Sequence, residues 1–296
     1  MMSAPKIAGL LQPARDLPIR DLHFFTMPVA DRWYMGGEPI ASAFFSALSA
    51  TFPLGEKFFI DSVRRFKGEV EASLLPGVEA FILQEALHTR EHLAFNRLVE
   101  GTGYTTNRLT ERTRAVLAPF RARSALRQLG LTMALEHFTA LFAHEVLTHD
   151  RRLAAAPSEV RALWRWHAME EVEHKAIAFD VFACISRAWP RHRRYVFRVR
   201  AMAEATWVLL SVVACNMNDL FEQDELPRVE SWMRALRYFF GVRGVLTSMM
   251  PGYLHWFRPG FHPWQIDDAA LAQQVAEGLA IPTVAPQGAA FPKAAA

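Results

Sequence analysis

The sequence predicts an all-α fold: a four-helix bundle with one long crossover and additional C-terminal helices. Three observations predict it. No stretch shows sustained strand alternation bounded by turn signals, whereas helical periodicity dominates from about residue 40 onward. Prolines and glycine pairs break the chain at the ends of long periodic segments. The composition is globular, with 51% hydrophobic and 21% charged residues and only 15 Gly and 17 Pro, which excludes wholesale disorder and collagen-like repeats.

Each element follows from local signals. Pro53 opens the first bundle helix, which continues to about Lys67. Pro76-Gly77 restarts the chain, and the second helix runs to about Gly101, where Gly101-Thr102-Gly103 stops it. Residues 104–127 form the long crossover, with one helix over 108–118 ahead of Pro119. The third long helix spans about 125–155. Pro157-Ser158 begins the fourth, with Ser158 as its cap, and it continues to about Ala188 before Pro190. Two accessory helices follow, over about 191–222 and 227–248. The stretch from about 282 to 296 is rich in Ala, Pro and Gly and reads as a flexible tail. No linker divides the chain. Residues 1–296 therefore read as a single domain, with the core bundle at about 53–188 and accessory helices at about 189–250.

Composition excludes several classes. A net charge of +3 over 296 residues is too small to make nucleic acid the default partner. Two cysteines, Cys184 and Cys215, cannot build a disulfide framework or a Cys-rich zinc site, and their scarcity fits a reducing compartment. The N-terminus lacks a signal peptide's apolar core and cleavage site. The most apolar stretch, Ala201–Met217, contains Glu204 and is short for a membrane span, so it reads as a buried helix. The basic run RHRRYVFRVR (191–200) reads as a solvated helix face, with contact to anionic lipid as the minority reading. The location expected is cytoplasmic, with peripheral membrane association as the alternative, and a homodimer is left open.

The unusual entries are 22 Phe and 11 His, and the placement of the His residues carries the chemistry. The second predicted helix contains Glu85-Ala86-Leu87-His88, and the fourth contains Glu171-Val172-Glu173-His174. In each, Glu and His stand at i, i+3 and share one face. One such helix offers a metal both a carboxylate and an imidazole. Two of them, with one inward Glu from each of two partner helices, form the two-metal carboxylate site of ferritin-like four-helix bundles. The third helix offers Glu136, set among Leu135, Phe138 and Ala140, where an unpaired charge would be costly. The first offers Glu56, with Asp61, Glu69 and Glu71 as rivals. A single Glu-x-x-His arises by chance on charged helices. Two copies, each preceded by a helix with a Glu in apolar surroundings, point to metal.

Two further histidines extend the pattern. Helix two reads Glu85-x-x-His88-x-x-x-His92, and helix four reads His167-x-x-x-Glu171-x-x-His174. If these helices run antiparallel, His92 and His167 reach one level beside the metals, as ligands, proton relays or hydrogen-bond partners of ligands. The metal ligands expected are thus Glu56, Glu85, His88, His92, Glu136, His167, Glu171 and His174.

With these motifs in view, the segments Gln84–His92, Leu135-Glu136-His137 and Trp166–His174 resemble the bacterial family of predicted metal-dependent hydrolases within the ferritin-like superfamily, over about residues 20–265. The order Glu, Glu-x-x-His, Glu, His-x-x-x-Glu-x-x-His is also similar to the di-iron arylamine N-oxygenases. That second resemblance rests on spacing and implies that His167 is a metal ligand. His92 has no counterpart in it.

A donor set rich in carboxylates is hard and suits iron, with manganese second. The sequence reading is therefore two metal ions, most simply iron, that activate O2 to oxidise a small apolar organic substrate, supplied by an unidentified electron donor. The apolar side chains near the ligands, among them Phe58, Phe59, Phe81, Phe95, Phe138 and Phe179, favour such a substrate. The alternative is a metal-dependent hydrolase, in which two cations acidify a shared water and polarise a carbonyl or phosphoryl oxygen. Arg90 and Lys175, the basic residues beside the ligands, point elsewhere on their helices.

Overall fold

The computed structural model describes residues 17–25 and 31–279. Its regular elements there are helices: α1 (Pro39–Ser49), α2 (Phe52–Arg64), α3 (Leu75–Gly101), α4 (Asn107–Arg121), α5 (Ala125–Thr148), α6 (Ser158–His174), α7 (Ile177–Ile185), α8 (Arg191–Gln223), α9 (Arg228–Phe240), α10 (Val245–His255) and α11 (Ala269–Leu279). The expected flexible tail lies outside the described residues.

Helices α2, α3, α5 and α6 form the bundle. α2 packs on α3 and α5 on α6, each as a hairpin, and the two hairpins meet through α2 with α5 and α3 with α6. Side-chain pairs give the direction. Rising through Glu85, His88 and His92 on α3, the partners on α6 descend through His174, Glu170 and His167. The two Glu-x-x-His helices are therefore antiparallel. The crossover between the hairpins carries α4, which packs against α2, α5 and α8.

The remaining helices wrap this core. α1 is buried along its whole length, its uncharged polar residues included. Its three serines are all satisfied: Ser42 accepts from the Met35 amide, Ser46 pairs with the Tyr34 hydroxyl, and Ser49 reaches His92 and Asn96 on α3. α8 lies along α5 and α1. Ala201, Met202, Ala205, Val208 and Val212 face inward from the apolar stretch, while Trp207 and Leu210 stand exposed. No helix among the described residues is long and apolar enough to cross a membrane. Neither cysteine is in a disulfide.

Several expected boundaries are corrected. α1 and α11 are helices beyond those that the sequence signals mark out. Pro119 lies inside α4, which continues to Arg121; the carbonyl left without its donor belongs to Ala115, an exposed residue, so water can serve it. Ser158 is the first helical residue of α6, and Pro157 holds the cap position. α5 ends at Thr148 and gives way to a single 3-10 turn, Asp150–Arg152, rather than running to 155. The fourth helix is two, α6 and α7, interrupted at Lys175-Ala176, where the buried Lys175 ammonium donates to the Ile266 carbonyl at 2.7 Å and pairs with Asp268. The helix expected over 227–248 is also two, α9 and α10. A Cβ at Gly244 would stand 2.3 Å from the Phe239 carbonyl oxygen, so glycine is required at that break.

Candidate metal centre

The eight side chains singled out from the sequence converge in the middle of the bundle, and none is more than 3% exposed. Glu56 comes from the start of α2, Glu85, His88 and His92 from successive turns of α3, Glu136 from mid-α5, and His167, Glu171 and His174 from the last half of α6. His174 Nε2 lies 3.3 Å from Glu85, 3.4 Å from Glu171 and 3.7 Å from Glu136. His88 Nδ1 is 3.7 Å from Glu171 Oε1, and His167 Nε2 is 2.9 Å from the same oxygen. His92 Nε2 is 2.6 Å from His167 Nδ1.

Many of these atoms lack any other use. Both oxygens of Glu85 and of Glu136, one oxygen of Glu56, Nδ1 of His88 and both ring nitrogens of His174 are buried without a hydrogen-bond partner. Burying carboxylate oxygens unpartnered costs several kcal/mol in general, unless a cation compensates them. Among the described residues, four groups could each hold a metal ion, with ligand atoms within 4.8 Å of one another: Glu56–His92–His167, His88–His167–Glu171, Glu56–Glu85–His88 and Glu85–Glu171–His174; Glu136 belongs to none of them and adjoins them through His174. Because they share members, they describe one continuous cluster. Carboxylates with imidazoles form a donor set for hard or borderline divalent ions.

The electrostatics agree. Burial pushes the carboxyl groups of Glu56, Glu85 and Glu136 well above their ordinary range, and neighbouring carboxylates push the same way. Burial would also raise Glu171, but the imidazoles of His174 and His167 overcome it and hold Glu171 well below the usual range. Burial, reinforced by His167, pushes His88 and His92 well below theirs. A neutral imidazole is the form that ligates a metal.

The surrounding shell was largely missed in the sequence. Glu170, the neighbour of Glu171, is fully buried and accepts from His88 Nε2 at 3.0 Å, from the Trp166 indole at 3.0 Å and from Arg20 at 3.2 Å. It thereby leaves His88 Nδ1 facing the cluster. Arg20, far away in sequence, also makes a two-pronged bond to Glu173 at 2.8 Å on each arm. Thr89 donates to Glu56 at 2.8 Å, Thr139 donates to Glu171, and Ser49 Oγ lies 2.8 Å from His92 Nδ1. Both nitrogens of His92 are thus engaged. The one available signal for Glu170 was its i+4 spacing from Trp166, and nothing periodic pointed to Arg20. Glu170→Ala is expected to weaken metal affinity about 10–100-fold while Arg20 keeps its bond to Glu173. A competition titration that returned the parent's affinity would show that His88 is not held this way.

Rival and neighbouring residues fall outside the cluster. Asp61 pairs with Lys57 and faces Arg121, and Glu71 pairs with Arg187. Arg90 is bound by Asp21 and Glu91. His137, on another face of α5, lies 3.2 Å from the Gly252 carbonyl, and burial pushes it down to about 3.

A family model described as "Predicted metal-dependent hydrolase" matches residues 18–267. No curated protein and no solved structure gives a significant match. The matched stretch takes in Arg20, Glu170 and all eight side chains of the cluster. The chain belongs to the predicted metal-dependent hydrolase family.

Proposed function

We propose that the chain is a metal-dependent enzyme whose centre holds two cations in the manner of ferritin-like bundles, with Glu56, Glu85, His88, Glu136, His167, Glu171 and His174 as ligands and His92 fixing His167. The observation that carries this reading is the set of buried carboxylate oxygens of Glu85 and Glu136 that have no partner. Two cations bound there would acidify a shared water and polarise a substrate oxygen.

A cavity of about 280 Å³ supports an apolar, uncharged substrate. Its inner wall includes Thr139, which holds Glu171, and Phe52, whose ring centroid is 4.8 Å from that of His167. Its outer wall includes Leu210, Leu236 and Phe240, all exposed at the surface. Among the described residues, no charged side chain lines it. An anionic ester would therefore enter without a counter-charge, whereas an alkyl or aryl chain would replace water against carbon. Hydrolysis of an uncharged ester or amide is the first reading, supported by the family description. The second is O2-dependent oxidation at two irons. It is favoured by the same apolar cavity and by the hard, carboxylate-rich donors.

One set of measurements separates them. The aerobically purified protein is analysed for metal, assayed against uncharged alkyl esters, and mixed in reduced form with O2. Metal-dependent ester cleavage with no O2 consumption supports hydrolysis. Two irons per chain with rapid O2 uptake and no cleavage supports oxidation. A chain that retains no metal sinks both.

A further inference from the structure

The basic run over residues 191–200 has no part in the metal centre. It forms the start of α8, and Arg191, Arg194, Tyr195 and Arg198 stand there at i, i+3, i+4 and i+7, on one helical face. All four line a second cavity, of about 750 Å³, which shares no lining residue with the apolar one. Its other walls come from α7, from residues 259–262, and from Glu71 and Arg187.

The charge in this cavity is unbalanced. Its two carboxylates are already engaged: Asp180 lies 2.9 Å from His262 Nε2, and Glu71 lies 3.0 Å from Arg187. Among the described residues no ion pair involves Arg191, Arg194 or Arg198. Arg198 is only 6% exposed. Its two terminal nitrogens donate to the carbonyls of Phe261 and Arg258 at 3.2 and 2.7 Å, and its buried Nε has no acceptor. The rings of Tyr195, Trp256 and Phe261 lie 5.5, 5.6 and 5.4 Å from its guanidinium carbon, which softens the burial but supplies no negative charge. Burial draws its pKa down to about 10. A buried guanidinium without a counter-ion is costly, and an anion in the cavity would offset that cost.

We propose that this cavity binds the phosphate group of an organic phosphate, with Arg198 as the buried contact and Arg191 and Arg194 at the rim. Three guanidinium groups without carboxylate partners suit a dianionic phosphate better than a single carboxylate. Arg191 is also the first residue of α8, so the positive end of that helix adds to the attraction. The exposed ring of Tyr195 and the buried rings of Phe179 and Phe261 form apolar wall for the organic portion. That portion is either a soluble ester or a lipid whose headgroup reaches in from a membrane surface.

The full chain is titrated calorimetrically with inorganic phosphate and with glycerol 3-phosphate, and sedimented with phosphatidylcholine vesicles with and without phosphatidic acid. Saturable, salt-sensitive binding is expected, and the R191Q/R194Q variant should bind about tenfold more weakly with its metal content unchanged. Binding of the soluble ester identifies a free phosphate ligand, and binding confined to phosphatidic acid vesicles identifies a headgroup. Failure of the parent to bind any probe overturns the proposal. So does equal binding by parent and variant.

Discussion

Glu136→Ala is expected to cost the protein cation binding at one of the two positions proposed above, read as metal content per chain after dialysis. The reason is geometric. Both Glu136 oxygens are buried without a protein partner, and one lies 3.7 Å from His174 Nε2, beside Glu85 and Glu171. No neighbouring carboxylate is spare to replace it, since Glu170 is engaged by Arg20, Trp166 and His88. The companion variant Glu136→Gln separates binding from folding. Without metal, the parent buries oxygens that only a proton or a cation can satisfy, whereas an amide carries no charge into the core. Above neutral pH the metal-free Gln variant should therefore be more stable than the metal-free parent, by about 1–3 kcal/mol in denaturant titrations. Full metal occupancy in the Ala variant would refute the assignment of Glu136.

The second large effect is the pH dependence of the metal-free chain. Glu56, Glu85 and Glu136 hold protons more tightly folded than unfolded, because burial disfavours their ionised forms. Their contribution is fully present below the unfolded carboxylate value, near pH 4.3, and is lost as pH rises through their raised folded values. His88 and His92 act in the opposite sense. Burial and His167 hold them neutral, so their contribution is present above about pH 6.5 and is lost as pH falls. Glu171, held down by His174 and His167 against its burial, contributes above about pH 4.3. Above about pH 6.5 the histidines no longer oppose the raised carboxylates, and metal-free stability should decline toward pH 8. Denaturant midpoints across this range should fall for the parent and flatten for a Glu85→Gln/Glu136→Gln variant. A parent midpoint that rises instead would contradict the burial argument.

The bundle was readable because its helices are long, are bounded by proline and glycine, and carry two copies of one short motif. Glu136 was readable for a related reason: a lone carboxylate in an apolar run needs a partner. Glu56 stood among three rivals on sequence grounds. It is separated from them by burial, which depends on how α2 docks on α3 and α5. α1 is hard to recognise in the sequence because its polar positions, Ser42, Ser46 and Ser49, carry no charge and are buried against neighbouring residues, so no solvent-facing side marks the helix. The break between α6 and α7 was invisible because it coincides with Lys175 bonding to residues more than ninety positions away. Glu170 was hidden by its neighbours: Glu170, Glu171 and Glu173 stand nearly together, and only the rotation of α6 decides which faces the cluster and which faces Arg20.

The depth of the centre bears on how cations would come and go. Its donors sit on four helices that enclose them, and Glu56 and His174 belong to different hairpins joined through the crossover. A charged chelator finds no counter-charge along the apolar cavity that leads inward, so its route to an ion held there would need a local opening of the bundle. The rate of metal loss would then level off at the opening rate, however much chelator is added, and loading would be fastest while the hairpins are still docking. In kinetic terms the centre would behave as a latch between two halves of the molecule, filled during folding and slow to exchange afterwards.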